Sequence, residues 1–390
     1  MPISKKVSSY LSQASWIRKL FEEGQQMRMD GKGPVYDFSI GNPDLEPPRK
    51  FRDVLRRIAA DETPGQHKYM SNVGYLETRK AVGVSLSEEV GLEFTPEQII
   101  MTVGAGGAIN AALKALIDPG DEVVTITPFF VEYKFYIDNH GGKMVLAKAD
   151  AEFQLDPGAI DSVITNRTRV VLINNPNNPT GVVYSQKNLD DLGAMLEERS
   201  RGRDRPIILI DDAPYRKLFY DGDVCPSIFR SYPHSLMGTS HSKDLGLPGE
   251  RIGFLAISPK CRNWSRVAEA AAFTNRTLGF VNAPGLMQRV VAELQGETID
   301  LEWYRRKRDL LYNELTGMGY ELPHPKGAFY AFPRAPNGDD LAFIDTLKTL
   351  RVLTVPGTGF GCPGYFRICY CVHDQIIEAA LPLFEKAIRG

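Results

Sequence analysis

The stretch RVVLINNPNNPTG, residues 169–181, joins an apolar run rich in valine and isoleucine to a turn rich in proline and asparagine. Other apolar runs of similar length alternate with amphipathic segments and with turns containing Gly, Pro or Asp. They are IIMTV (99–103), EVVTIT (122–127), KMVLA (143–147), PIILID (206–211), SLMGTS (235–240) and RIGFLAIS (251–258). Such runs are typical of strands covered on both faces by helices. The alternation predicts an α/β fold with a mostly parallel, seven-stranded sheet flanked by helices.

The pattern changes on both sides of this α/β region. Helical spacing recurs before and within it, near 16–27, 48–60 and 75–91. Beyond residue 290 the elements expected are a charged helix (298–318), strands near 327–332, 352–357 and 366–370, and a helix at 374–388. The change predicts a large domain of residues 46–289 and a smaller α+β domain made from residues 1–45 and 290–390.

Composition narrows the class of protein. Lys and Arg total 46 and Asp and Glu total 48, so a net charge of −2 gives no general attraction to nucleic acid or to an anionic membrane. No stretch reaches 18 apolar residues, and the opening MPISKKVSSYLSQASW lacks the apolar run of a signal peptide. The 5 cysteines show no CxxC spacing, which argues against a zinc ribbon or a disulfide framework. We therefore expect a cytoplasmic protein.

Four segments that follow predicted strands carry residues suited to chemistry. SHSKDLGLPGERIGF (240–254) begins where open α/β sheets bind ligands, and its Lys243 has Ser, His and Gly neighbours. A solvated loop lysine is the plain alternative. For INNPNNPTG (173–181) the plain alternative is a turn, and for LIDDAPY (209–215) it is a helix N-cap. TVGAGGAIN (102–110) places glycines at a helix entry, where backbone N–H groups bind anions.

Together and in this order, the four segments resemble fold type I enzymes that use pyridoxal phosphate, specifically the class I and II aminotransferases related to aspartate aminotransferase. The resemblance covers nearly the whole chain. It rests on NNPTG (177–181), the Asp and Tyr of DDAPY (211–215), the SxSK ending at Lys243, and Arg251 eight residues later. It implies a pyridoxal phosphate cofactor bound as a Schiff base to Lys243, and a ping-pong exchange of an amino group between an L-amino acid and a 2-oxo acid.

The resemblance also implies roles around the cofactor ring. Asp212 matches the carboxylate that pairs with the pyridine nitrogen and keeps the ring an electron sink. Asp211 is the rival, and the spacing of three residues to Tyr215 favours Asp212. Tyr215 and Asn178 match the partners of the ring oxygen O3′. Phe130 falls where the family stacks an aromatic side chain on the ring.

For the cofactor phosphate, the match implies backbone N–H groups at the helix entry and two side chains. These are Gly104, Ala105, Gly106, Ser240 and Arg251. Relatives often carry Ser, Thr or Lys in the glycine loop, so this chain should depend on its backbone, on Ser240 and on the arginine fork. Tyr69 resembles the tyrosine that reaches the phosphate of the neighbouring subunit, which implies a homodimer with shared active sites. A loop tyrosine without function is the alternative.

On the substrate side, Arg367 in YFRICY matches the arginine that binds the α-carboxylate through a bidentate contact. Gly41 matches the glycine whose backbone approaches the same carboxylate, and Asn178 is expected beside it. The substrate would lie between the two domains, and closure over it would exclude water.

The substrate side chain stays open at this point. A dicarboxylic substrate needs a second cation, for which Arg276 is a candidate, whereas Phe329 and Tyr330 suit aromatic or aliphatic side chains. The same residues also serve a C–S β-lyase, a racemase or a reaction like that of aminocyclopropane-carboxylate synthase. A regulator that binds pyridoxal phosphate without catalysis would need a DNA-binding domain, for which the short N-terminal segment leaves no room.

Other enzyme classes lack their motifs. The glycine loop GAGGAI (104–109) fails GxGxxG at its last position, which argues against a nicotinamide dehydrogenase. No GxxxxGK[ST] occurs, and GTSHS (238–242) is not the GxSxG of a serine hydrolase. The 6 histidines contain no HExxH, so no metal centre is predicted.

Overall fold

The structure is a computed structural model that describes residues 2–12, 16–222 and 224–389. The helices are α1 (Lys5–Ser12), α2 (Trp16–Met29), α3 (Arg49–Ala59), α4 (Leu76–Val90), α5 (Gly104–Leu116), α6 (Tyr133–Asn139), α7 (Pro157–Val163), α8 (Gln186–Ser200), α9 (Ile228–Ser231), α10 (His241–Asp244), α11 (Trp264–Thr277), α12 (Gly285–Ala292), α13 (Leu301–Gly317), α14 (Asp340–Thr349) and α15 (Asp374–Arg389). The strands are β1 (Tyr36–Asp37), β2 (Ile99–Thr102), β3 (Glu122–Thr127), β4 (Lys143–Lys148), β5 (Thr168–Ile173), β6 (Ile208–Asp212), β7 (Ser235–Ser240), β8 (Gly253–Ile257), β9 (Tyr330–Ala331), β10 (Val352–Leu353), β11 (Val355–Pro356) and β12 (Phe366–Cys369). Short 3₁₀ turns lie at Pro96–Gln98, Pro248–Glu250, Pro336–Gly338 and Gly357–Phe360.

All seven apolar runs become strands of one sheet, in the order β2-β8-β7-β6-β5-β3-β4. Strands β3, β4, β5, β6 and β7 pair with one another in parallel, whereas β8 runs antiparallel to both β2 and β7. The predicted α/β fold with a mostly parallel seven-stranded sheet is therefore confirmed.

Helices cover both faces of this sheet, which explains why its strands are apolar on both sides. Val170 packs into a cluster with Ile109 of α5 and Ala271 of α11. Its neighbour Val171 points the other way, into a cluster with Leu192 of α8 and Val82 of α4. The strand period of two thus buries successive residues on opposite faces.

The direction of β8 brings several motifs to one edge of the sheet. Gly253, the first residue of β8, pairs with Thr102 at the end of β2 and with Ser240 at the end of β7. Because β8 is antiparallel to both neighbours, its beginning lies beside their carboxyl ends. Arg251, just before β8, therefore reaches the edge at which β2, β6 and β7 end.

A third apolar cluster combines chain segments that are distant in sequence. Phe38 packs there with Tyr304 of α13, Phe366 of β12 and Phe384 of α15. The pairing of β1 with β10 joins the segment near residue 36 to the C-terminal region. The predicted strand at 352–357 is split into β10 and β11, because Thr354 separates two short pairings with different partners. The domain boundaries themselves stay a prediction.

None of the helices in the described part of the chain is both long enough and apolar enough to cross a membrane.

Candidate active site

A cavity of about 310 Å³ lies at the sheet edge where β6 and β7 end. Its walls are formed by Ile40, Gly41, Ala105, Gly106, Phe130, Tyr136, Asn174, Asn178, Asp212, Pro214, Tyr215, Ser240, Ser242, Lys243, Pro248, Arg251, Tyr330 and Arg367. Most of the residues nominated from the sequence thus meet in one cavity.

Lys243 enters the cavity from α10, the short helix that begins directly after β7. Its Nζ donates a hydrogen bond to the backbone oxygen of Gly41 at 2.7 Å and lies 5.4 Å from the centre of the Phe329 ring. Burial lowers the pKa of Lys243 from its usual value. A lowered pKa increases the fraction of neutral amine, which is the nucleophilic form.

Asp212 lies at the carboxyl end of β6 and has one free oxygen. Tyr133 donates a hydrogen bond to Oδ2 at 2.7 Å, whereas Oδ1 is buried without a hydrogen-bond partner among the described residues. Burial raises the pKa of Asp212 to about 6, and the bond from Tyr133 opposes that rise. An unpaired buried carboxylate oxygen is costly unless a donor arrives. Asp212 is therefore suited to receive a protonated ring nitrogen.

Asp211, the rival candidate, is occupied elsewhere. Its Oδ1 accepts a hydrogen bond from the backbone N–H of Asn175 at 3.1 Å, and the residue does not line the cavity. Alternation along β6 places neighbouring side chains on opposite sides, so only Asp212 faces the cavity.

The anion-binding end of the cavity is built from the start of α5 and from Arg251. Gly104 has a φ of +73°, and a Cβ there would lie 3.0 Å from Nη2 of Arg251. The rest of this end is formed by Ala105, Gly106 and Ser240. N–H groups at a helix start, together with a guanidinium, favour a phosphate group. Gly104 adjoins Arg251 but is not part of the cavity wall.

Arg367 faces the cavity from β12 and is 2% exposed. Its Nη1 donates to Oδ1 of Asn178 at 2.9 Å and its Nη2 donates to the backbone oxygen of Ser39 at 2.6 Å. Its guanidinium lies 4.7 Å from the centre of the Tyr330 ring. Its Nε has no partner within the part of the chain that the structure describes. A buried cation with a free donor is well placed to bind a carboxylate.

Phenol and phenyl groups form the remaining wall. The hydroxyls of Tyr215 and Tyr330 lie 2.7 Å apart, and Phe130 contacts Tyr133 edge to face at 5.6 Å. Phe329 is fully buried behind the cavity wall and packs against Tyr215.

Tyr69 and Arg276, which the sequence also nominated, lie away from the cavity. Tyr69 is 93% exposed and borders a separate surface pocket with Met70 and Tyr75. Arg276 is exposed on α11, with its guanidinium 5.3 Å from the centre of the Phe273 ring. Within this chain, Arg276 does not supply the cavity with a second cation.

Several residues that the fold brings to the site were not nominated from the sequence. Asn174 donates from Nδ2 to the backbone oxygen of Asp212 at 2.5 Å and accepts from the N–H of Asn178 at 2.6 Å, so it joins two strand ends. Tyr133 and Tyr136 both belong to α6, just after Phe130. The only available signal was position: Asn174 and Tyr133 each lie within five residues of a nominated residue.

Comparisons with known proteins agree with this geometry. The family model described as aminotransferase class I and II matches residues 34–381. The chain is 31% identical over 358 residues to the aspartate/prephenate aminotransferase of Thermus thermophilus, covering 90% of each protein. An aminotransferase from Eubacterium rectale has a similar structure, with a TM-score of 0.95 and 39% identity over 100% of this chain and 99% of that chain. Aspartate aminotransferase from Thermus thermophilus, solved with maleate, gives a TM-score of 0.88 and 28% identity over 99% of this chain and 100% of that chain.

Proposed function

This chain is a member of the class I and II aminotransferases, and on that premise we propose that it binds pyridoxal phosphate at Lys243. The observation that carries the proposal is the buried Oδ1 of Asp212, which has no hydrogen-bond partner among the described residues and lies in the same cavity as the Lys243 amine. Arg251 beside the start of α5 supports a phosphate position. The residues present therefore fit the cofactor.

Each cofactor contact would come from a residue of the cavity wall or from Gly104 beside it. Asp212 would accept a hydrogen bond from the ring nitrogen, and Tyr215 and Asn178 would bond to the ring oxygen. Phe130 would stack on the ring. The phosphate would be held by Ser240, Arg251 and the N–H groups of Gly104, Ala105 and Gly106. When bound, the cofactor supplies an aldehyde that condenses with amines and a ring that withdraws electrons from the substrate Cα.

The protein's own part in the reaction is to bind the substrate and to move a proton. Arg367 would bind the α-carboxylate, with the Gly41 backbone and Asn178 beside it. Lys243, whose pKa burial lowers, would take the proton from the substrate Cα and return one during the exchange. Amino transfer between an L-amino acid and a 2-oxo acid then proceeds in two half-reactions on one site, a ping-pong mechanism.

The proposed organisation has two domains and two subunits. Residues 46–289 would form the large domain, and residues 1–45 with 290–390 the small domain that closes over the substrate. We propose a homodimer in which Tyr69 reaches the neighbouring subunit's phosphate site. Its exposure of 93% in the single chain is compatible with this role, because the side chain is free to reach a second copy of the chain. We propose a cytoplasmic location, in keeping with five free cysteines.

Absorption spectroscopy of the purified protein tests the cofactor assignment. Added pyridoxal phosphate should give a visible band that persists on desalting in the wild type and is lost on desalting in Lys243→Ala. Lys326→Ala, which removes a lysine outside the cavity wall, is the matched control and should keep the band. A wild-type protein that stays colourless would overturn the proposal.

A panel of L-amino acids tested against 2-oxoglutarate and pyruvate then defines the reaction and its substrates. Transamination should give a new amino acid and a 2-oxo acid, with parallel lines in double-reciprocal plots. Release of ammonia with pyruvate as the main product would instead identify a β-lyase.

A further inference from the structure

Tyr330 lies where the cofactor side and the substrate side of the cavity meet. Its hydroxyl is 2.7 Å from that of Tyr215, and its ring carries the Arg367 guanidinium at 4.7 Å. We propose that Tyr330 is a positioning residue, which orients the Tyr215 hydroxyl toward the cofactor ring and holds Arg367 in place for the substrate carboxylate. This inference rests on the roles proposed above for Tyr215 and Arg367.

The hydrogen bond between the two phenols has one possible direction when Tyr215 donates to the cofactor. Tyr215 has one O–H, and donating it to a ring oxygen leaves only its lone pairs for Tyr330. Tyr330 must then be the donor. Burial raises the pKa of Tyr215, and the bond received from Tyr330 is the main influence that lowers it. A phenol that accepts a hydrogen bond donates its own more strongly. Tyr330 thus strengthens the Tyr215 contact to the cofactor.

The Tyr330 side chain and backbone lie close to two glycines that have no side chain to obstruct them. A Cβ at Gly41 would lie 2.3 Å from the Tyr330 hydroxyl, so only glycine leaves room for it. A Cβ at Gly181, the last residue of NNPTG, would lie 2.3 Å from the Tyr330 backbone oxygen. Two glycines from distant segments therefore fix Tyr330. The carbonyl oxygen of Gly41 also accepts the hydrogen bond from Lys243, which places Tyr330 beside the residue that holds the amine.

The Tyr330 ring also packs against the guanidinium of Arg367. The Tyr330 ring covers one face of the Arg367 guanidinium, while Asn178 and Ser39 occupy two of its edge donors. A guanidinium confined between these groups presents its free edge in one orientation. A desolvated cation–π contact stabilises the position of a guanidinium by an amount that corresponds to a factor of roughly ten or more in an equilibrium constant. Loss of the ring should therefore weaken carboxylate binding, whereas loss of the hydroxyl alone should not.

Two variants separate these contributions. Tyr330→Phe removes the hydroxyl and keeps the ring, and Tyr330→Leu removes both. Tyr370→Phe is the matched control, because Tyr370 is also fully buried but its hydroxyl bonds to the backbone oxygen of Ala328, away from the cavity wall. The readouts are the pKa of the visible band of the cofactor-loaded enzyme without substrate, and the dissociation constants of succinate and 3-phenylpropionate, which lack an amino group.

Tyr330→Phe should raise the pKa of the band by roughly half a unit and leave carboxylate binding within about threefold of wild type. Of succinate and 3-phenylpropionate, the one that the wild type binds more tightly should also bind Tyr330→Leu more weakly, by about tenfold or more. Tyr370→Phe should change neither. A Tyr330→Phe band that titrates as in the wild type, or a carboxylate affinity that Tyr330→Leu leaves intact, would overturn the inference. Failure of the proposed function looks different, since no visible band would form in the wild type.

Discussion

Lys243 and Asp212 show how burial prepares two groups in one cavity for opposite tasks. Desolvation lowers the pKa of Lys243, which favours a neutral amine. The same effect raises the pKa of Asp212 to about 6, so this carboxylate carries its charge at a cost to the folded protein. The cost disappears only when a cationic partner is bound. The charged form of Asp212 therefore destabilises the cofactor-free chain and favours the binding of a protonated ring.

Asp212→Asn should stabilise the cofactor-free protein at pH 8. Because the folded pKa of about 6 exceeds the ordinary 3.8, the folded state binds more protons than the unfolded state between these values, and its stability falls as pH rises through them. The difference corresponds to at most about 3 kcal/mol. Urea unfolding at pH 5 and pH 8 checks this. The gain should be smaller at pH 5, and a variant less stable than wild type at pH 8 contradicts it.

Arg367→Lys should keep the charge and lose the fork that binds a carboxylate. We expect KM for the amino donor to rise by about 100-fold, while the dissociation constant of the cofactor changes by less than about threefold. Steady-state kinetics and cofactor titration measure the two effects. Arg334→Lys, at a surface arginine paired with Glu321, is the control and should match wild type. Equal losses of substrate and cofactor affinity would refute the carboxylate assignment.

At the scale of elements, the apolar runs predicted every strand of the large sheet and its mostly parallel character, but neither the strand order nor which strand is antiparallel. Several runs are apolar almost throughout, because the side chains on both faces of their strands pack against helices. Order and direction depend on pairings between distant segments, which no single run encodes. The antiparallel β8 is the example: its reversal is what places Arg251 beside Gly104.

Gly104→Ala should weaken cofactor binding by about tenfold or more. A side chain at φ +73° is strained, and its Cβ would press on Nη2 of Arg251 at 3.0 Å. Gly120→Ala is the matched control, since Gly120 has a φ of +91° and open space around its Cβ position. Fluorescence titration with pyridoxal phosphate compares the two. If both variants bind pyridoxal phosphate with the same affinity, Gly104 has no special part in the phosphate site and the prediction is wrong.

At the scale of the whole molecule, motifs nominated most of the cavity, and folding supplied the rest. Lys243, Asp212 and Arg251 were recognisable because their neighbours in sequence form motifs. Tyr133 was not, since its value lies in a hydrogen bond to a residue 79 positions away. Tyr69 is the converse: its motif nominated it, yet the single chain leaves it in solvent. In the proposed homodimer, a second copy of the chain would complete its role.

A mixing experiment tests this shared site. Lys243→Ala and Tyr69→Ala should each be nearly inactive alone. If Tyr69 serves the neighbouring subunit, a hybrid dimer contains one site with both Lys243 and Tyr69 intact, so refolding the two variants together should restore activity to about a quarter of wild type, since half of the dimers are hybrids with one working site. A mixture that stays inactive would show that Tyr69 acts within its own subunit, and a Tyr69→Ala variant that is fully active alone would show that Tyr69 has no role in the site.

The short segment around Ser39 and Gly41 has a consequence for how the enzyme is made. Ser39 contacts Arg367 across 328 positions, so the carboxylate clamp needs residues that leave the ribosome about 16–66 s apart at 5–20 residues per second. Every strand from β2 to β8 is synthesised before β12. In the proposed assignment, a chain whose translation stops before Phe366 would contain the residues proposed to hold the cofactor but would lack Arg367. Completion of the polypeptide would then be the event that adds substrate binding to cofactor binding.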